Sequence, residues 1–176
     1  AIEVNLAKMS STVCVNDVGN NVFTQISNIP GDTNVVVFWG GTNDFFYARN
    51  ILGTINDTDK TTFYGAMKNA ILEIKKKVPN AKIIVNSLIY RRQTRLISPT
   101  STNINGNTKQ DYDKAIKEVC NLYNVIYNEL NINVYPYDDT LAKNDYREQT
   151  NEGGVYYTHL NENGNIKVYD NIRKII

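Results

Sequence analysis

The sequence predicts an α/β fold, a three-layer α/β/α sandwich with a central parallel sheet between two layers of helices. Short runs of β-branched and aromatic residues alternate along the chain with longer stretches of helical period, the order that builds parallel sheets. Residues 35–39, Val-Val-Val-Phe-Trp, are apolar throughout, as in a strand buried on both faces, and end abruptly at Gly40-Gly41. The long irregular stretches all follow strands, which gathers them at the carboxyl edge of the sheet, where folds of this kind bind ligands.

Each element follows from its local pattern. Residues 1–9 read as the end of a helix with Ile2, Leu6 and Met9 on one face, and residues 12–15 as a short strand. The polar loop 16–20 holds Gly19, which can take a backbone geometry or allow a close approach that other residues resist. A short helix begins at 22–26 and is closed by Pro30-Gly31, and the apolar strand at 34–39 follows. Residues 45–57 read as a mobile segment with Phe45, Phe46 and Tyr47 exposed. Asp59 is the expected N-cap of a long helix, on which Phe63, Met67, Ala70, Ile71, Ile74 and Val78 recur at helical spacing. Lys75, Lys76 and Lys77 then complement the negative end of its dipole, so this basic run is a solvated helix end and not a nucleic-acid patch.

Pro79-Asn80 stops that helix, and residues 82–88 form the next buried strand. Residues 90–107 are polar, carry Arg91, Arg92 and Arg95, and lack an apolar period; a loop of that length in a compact domain is usually functional. Tyr112, Ala115, Ile116, Val119, Cys120 and Tyr123 mark a second amphipathic helix, followed by a strand at 125–130. An irregular stretch runs to Gly154, and a last helix from about Glu162 turns Ile166, Tyr169, Ile172 and Ile176 inward. Without repeats, low-complexity tracts or linkers, residues 1–176 are expected to be a single domain.

Composition narrows the partners. An apolar fraction of 41% suits a soluble globular protein, and 19 basic against 18 acidic residues leave no broad field for nucleic acid or an anionic membrane. Small neutral or mixed-charge ligands fit better. No apolar run approaches the ~18 residues a membrane span requires. The compartment stays open, with a secreted, surface or virion-associated setting favoured over the cytoplasm. Cys14 and Cys120 read as buried thiols, form no metal-ligand pattern and leave a disulfide between them open. Neither a cofactor nor a metal is expected.

Two stretches can carry chemistry. Gly40-Gly41-Thr42-Asn43-Asp44 closes the apolar strand, and an Asn held there by a glycine turn can aim its amide at a developing negative charge. Taken alone, the stretch reads equally well as a flexible turn. His159 is the sole histidine and stands just ahead of the last helix, on a loop opening toward the same edge, where it can shuttle a proton near neutrality.

Together these residues carry a resemblance to the SGNH (GDSL-type) hydrolases. The ordered set is Val15-Asn16-Asp17-Val18-Gly19, Gly41-Thr42-Asn43-Asp44 and His159-Leu160-Asn161-Glu162-Asn163-Gly164, with Pro79-Asn80-Ala81-Lys82-Ile83-Ile84, Tyr90-Arg91-Arg92 and Asp111-Tyr112 between them. The resemblance implies a flavodoxin-like sheet and an ester hydrolase acting on an acylated carbohydrate or similar ester. It further implies that the Gly19 N–H and the Asn43 amide form part of an oxyanion hole and that His159 is general base and then acid.

Two departures from the family pattern shape the expectations. The Gly-Asp-Ser motif that carries the nucleophile at the end of the family's first strand is absent, and Ser10 and Ser11 stand too close to Gly19 to replace it. The first strand is therefore expected to come from a preceding segment or another chain that also brings the Ser and fills a slot between residues 12–15 and 34–39. Tyr156 occupies the position three before His159 where the family has its triad Asp, which leaves a dyad, with the imidazole held by a backbone carbonyl, Glu152 or Asp145. A catalytically degenerate module binding glycans through residues 45–47 and 91–95 is the alternative. A flavodoxin-like nucleotide binder is the weakest reading, since no glycine-rich phosphate loop opens a helix.

Overall fold

The computed structural model describes residues 3–16, 20–89, 101–134, 145–151 and 154–176, with residues 146–158 described as backbone. Gly19, Arg91–Arg95 and Glu152, singled out from the sequence, lie outside the described residues or, for the arginines, within the undescribed stretch 90–100.

The apolar strand forms as expected: β1 (Val35–Phe38) runs parallel to β2 (Lys82–Asn86), with Val36 opposite Ile83 and Phe38 opposite Val85. On its other side β2 is parallel to β3 (Ile126–Asn128), with Val85 opposite Tyr127 and Asn86 opposite Asn128, giving the order β1-β2-β3. Because side chains alternate along a strand, Val36, Phe38, Ile83, Val85 and Tyr127 share one face. Against it pack α1 (Val22–Ser27), α3 (Phe63–Lys77) and α4 (Lys109–Leu122), whose Ile26, Met67, Ile71, Ile74, Ile116 and Val119 complete the main core. The opposite face, with Val35, Val37, Ile84 and Asn86, looks toward the last helix, α6 (Glu162–Arg173); the Lys82 ammonium reaches the Ile176 carbonyl just past that helix at 2.9 Å. A parallel sheet with helices on both faces is thus the architecture.

Helix starts are set by side chains that satisfy otherwise unpaired N–H groups. Thr108 and Asp111 form a reciprocal capping box on α4, and Asn161 caps α6 by accepting from the Gly164 N–H. The cap of α3 is Thr62, which accepts from the Gly65 N–H, and not the expected Asp59; the Asp59 carboxylate turns instead to the Thr61 N–H at 2.7 Å.

Five further expectations are corrected. Residues 3–9 carry no helix: Val4 and Met9 are exposed and only Leu6 meets the core, too little burial to offset the cost of nucleating one turn. Residues 12–15 form no strand, because their backbone donors are taken elsewhere. The Val13 and Cys14 N–H groups go to the Asp44 carboxylate and that of Val15 to the Lys60 carbonyl, leaving Thr12 with an isolated parallel bridge to Asn21.

The segment after Gly41 is not mobile throughout but opens as a helix, α2 (Thr42–Tyr47), with Phe45 buried edge-on against the Tyr112 ring and only Tyr47 of the three aromatics exposed. Finally, strand and helix do not alternate to the end. After the short α5 (Leu130–Asn133), β4 (Tyr146–Asn151) and β5 (Gly154–Leu160) pair antiparallel as a separate ribbon. On α6 the inward side is Gly164, Val168 and Ile172, spaced four apart, so Ile166, Tyr169 and Ile176 face out.

Among the described residues no strand pairs with the outer edge of β1. Val37 on that strand is 43% exposed, and Trp39 just beyond it is 37% exposed although its indole N–H donates to the Ser87 carbonyl at 3.1 Å.

Candidate active site

The site is built on the turn between β1 and α2. Gly41 holds φ at 113°, in the left-handed region, and a Cβ there would come within 3.0 Å of the Phe63 ring and 3.2 Å of a Leu88 methyl. Only glycine fits both demands. The turn delivers Thr42, Asn43 and Asp44 as the first turn of α2, at the carboxyl end of β1.

Asn43 is half-buried, and its Nδ2 donates to the Ser11 carbonyl at 2.9 Å. That bond sets the amide rotamer. A primary amide nitrogen carries two hydrogens, so with one on Ser11 the other can donate to an oxyanion. Asp44, only 4% exposed, bonds the same segment, its two oxygens accepting from the Val13 N–H at 2.8 Å and the Cys14 N–H at 2.9 Å. Burial pushes its carboxyl above the usual range, and the N–H and thiol hydrogen bonds from Val13 and Cys14 pull it back down. Burial, with the neighbouring Asp44 charge, drives the Cys14 thiol far up. Outer contacts steady α2: the Asn103 amide donates to the Phe45 carbonyl at 3.1 Å and the Asn105 amide to that of Ala48 at 2.9 Å.

Beside this turn lies a buried polar network at the end of β2. Asp113 accepts from the Leu88 N–H at 2.7 Å and from the Asn131 amide at 2.9 Å, and the Ser87 hydroxyl donates to Asn131 Oδ1 at 3.0 Å. The network holds residues 87 and 88, just past the end of β2, to α4 and α5.

His159 is exposed near the end of β5, two residues before the cap of α6. Among the described residues no hydrogen bond joins it to Asn43. Asp145, considered from the sequence as a partner for the imidazole, is buried, and its carboxylate is ion-paired to Lys167 at 2.5 Å. Its backbone carbonyl accepts the Asn161 N–H at 2.8 Å, which ties β4 to the start of α6. Asn43 is thus held at the carboxyl end of β1, and His159 stands in β5, one residue before its end. Asp44 and the Ser11 carbonyl went unread in the sequence. Asp44 stands inside the recognised motif, but nothing local reveals that its partners lie thirty residues upstream.

A parallel sheet flanked by helices, with an Asn-Asp pair presented by a glycine turn at a strand's carboxyl end, defines the class of the SGNH hydrolases. The chain belongs to the GDSL-like lipase/acylhydrolase family, which it matches over residues 4–165. Ester hydrolysis is the chemistry that membership supports. Solved structures agree on the fold. A protein from Lactobacillus plantarum superposes with a TM-score of 0.77 at 22% identity, covering 94% of this chain and 76% of that one. A salicylyl-acyltransferase from a tetracycline biosynthetic pathway gives 0.58 at 19% identity over 85% of this chain and 38% of that one. A carbohydrate acetylesterase from Sinorhizobium meliloti gives 0.50 at 15% identity over 95% and 75%. No curated protein matches the chain. Among the described residues, no helix is long and apolar enough to cross a membrane.

Proposed function

We propose that the protein is a serine esterase that deacylates an acylated carbohydrate or similar ester, with Asn43 and the Gly19 N–H as oxyanion donors and His159 as the proton shuttle. The observation that carries this reading is the Asn43 amide, held at the carboxyl end of β1 by the Ser11 carbonyl. The nucleophilic Ser comes from a segment outside residues 1–176, whose strand pairs with the open edge of β1. The exposure of Val37 and Trp39 beside that edge supports this placement, since apolar side chains of a sheet are ordinarily covered. The Ser oxygen attacks the ester carbonyl while His159 takes its proton; the alcohol leaves with that proton, and water then releases the acid from the acyl-enzyme by the same route.

For the sugar, the exposed ring of Tyr47 lies one helical turn beyond Asn43 on α2, with the Arg49 guanidinium 4.9 Å from its centroid. The fold likeness to a carbohydrate acetylesterase is in keeping with that subsite. A second reading, a degenerate module that binds glycans without turnover, draws on Tyr156 at the position of the family's acid and on the engagement of Asp145 by Lys167. Acetate release from nitrophenyl acetate and acetylated oligosaccharides by the full-length protein separates the two. Turnover abolished by His159→Ala supports the esterase, whereas oligosaccharide binding with no acetate released supports the module.

A further inference from the structure

Asp44 is a carboxylate buried at the site with no place in the chemistry of ester hydrolysis, yet it grips the one segment on which the oxyanion donor depends. Residues 11–14 and the first turn of α2 are joined in both directions. Ser11 offers its carbonyl to the Asn43 amide, and two and three residues later Val13 and Cys14 offer their N–H groups to the Asp44 carboxylate. Among the described residues, 12–15 pair with other backbone only at the isolated Thr12–Asn21 bridge and through the Val15 N–H to Lys60, so these side-chain contacts stand where a β-ladder would. The Thr12 hydroxyl, donating to the Cys14 carbonyl at 2.8 Å, tightens the same bend.

We propose that Asp44 is a positioning residue for the oxyanion hole, a role that rests on the esterase reading: by anchoring the Val13 and Cys14 N–H groups it places the Ser11 carbonyl, which in turn aims the Asn43 amide. Only a carboxylate does this well. Both of its oxygens accept, whereas an amide would turn an NH₂ group toward one of the two backbone donors. Both anchoring bonds lie in a buried site, where a hydrogen bond is electrostatically stronger than in water.

The test is a double-mutant cycle in the full-length enzyme with nitrophenyl acetate. Asp44→Asn lowers kcat by at least ~10-fold with KM unchanged, and the same substitution in an Asn43→Ala background changes kcat by less than about 2-fold, because the donor it aims is already gone. Equal losses in both backgrounds would show a general packing role and overturn the proposal. A second readout needs no turnover: one of the two Asn43 Nδ2 hydrogens exchanges slowly in the wild type and fast in folded Asp44→Asn, and slow exchange in both overturns the proposal whether or not the protein is an esterase. A wild type without turnover that still shows this change in exchange contradicts the esterase reading and leaves the positioning relationship standing. Should Asp44→Asn not fold, an ester linkage in place of the Val13 peptide bond deletes that N–H alone; fast exchange at Asn43 is expected, and slow exchange overturns the proposal.

Discussion

The ammonium of Lys109 donates to the Leu88 carbonyl at 2.8 Å inside the core, while the Leu88 N–H on the same residue is held by Asp113, one turn along α4. Lys109 is 7% exposed, and burial depresses its pKa from 10.5 to about 8, with Asp113 acting in the opposite direction. Between about 8 and 10.5 the unfolded chain binds a proton at this lysine that the folded chain does not. Stability from this group therefore rises with pH across that window.

The measurement is the unfolding free energy of wild type minus that of Lys109→Met, which removes the shared titration of other groups. The difference is flat below pH 8 and climbs above it. A flat difference through pH 10 would contradict the charged burial of Lys109.

The cysteines give a prediction of opposite sign. Both are buried and free, and burial pushes Cys120 up to about 12 and Cys14 higher still. Since the unfolded thiols ionise first, their contribution to stability falls as pH rises past about 9. In the native protein neither thiol reacts with a disulfide reagent at pH 8, and both react at once in denaturant.

Gly65 reverses the usual rule for helices. Replacing an interior helical glycine with alanine ordinarily stabilises by ~1 kcal/mol. On α3 a Cβ at Gly65 would stand 1.9 Å from the backbone oxygen of Asp59, which must move together with the capping loop. Gly65→Ala lowers the thermal midpoint, and a rise would show that the 59–62 loop yields freely.

Removing the capping box tests helix placement. Thr108→Ala loses the hydroxyl that accepts the Asp111 N–H and costs about 0.5–2 kcal/mol in chemical unfolding.

How far the sequence could be read depends on the range of the interactions that decide each part. The helices α3 and α4 are long enough for their apolar stripes to show, and β1, β2 and β3 are legible from dense β-branched runs closed by Gly, Pro or Asn. The six residues of α2 span too few turns to declare a period, and the side chains that leave no room for a Cβ at Gly41, Phe63 and Leu88, lie far along the chain. Residues 12–15 have the composition of a strand, but Asp44 takes their donors, and that competition is long-range. On α6 the apolar residues at 166, 169 and 176 suggest a face that the observed packing through Gly164 and Val168 does not use, because a glycine allows close approach without contributing to an apolar pattern. Asn43 stands in a motif that the sequence displays, whereas its bond to the Ser11 carbonyl and the Asp44 bonds to Val13 and Cys14 join segments about thirty residues apart and leave no local trace.

As proposed, Asn43 stabilises the oxyanion formed from an acyl ester. The direct measurement is steady-state hydrolysis of nitrophenyl acetate by full-length wild type and Asn43→Ala. The expected kcat of Asn43→Ala is lower by ~10²–10³ with KM little changed. An Asn43→Ala enzyme that turns over at the wild-type rate would contradict it.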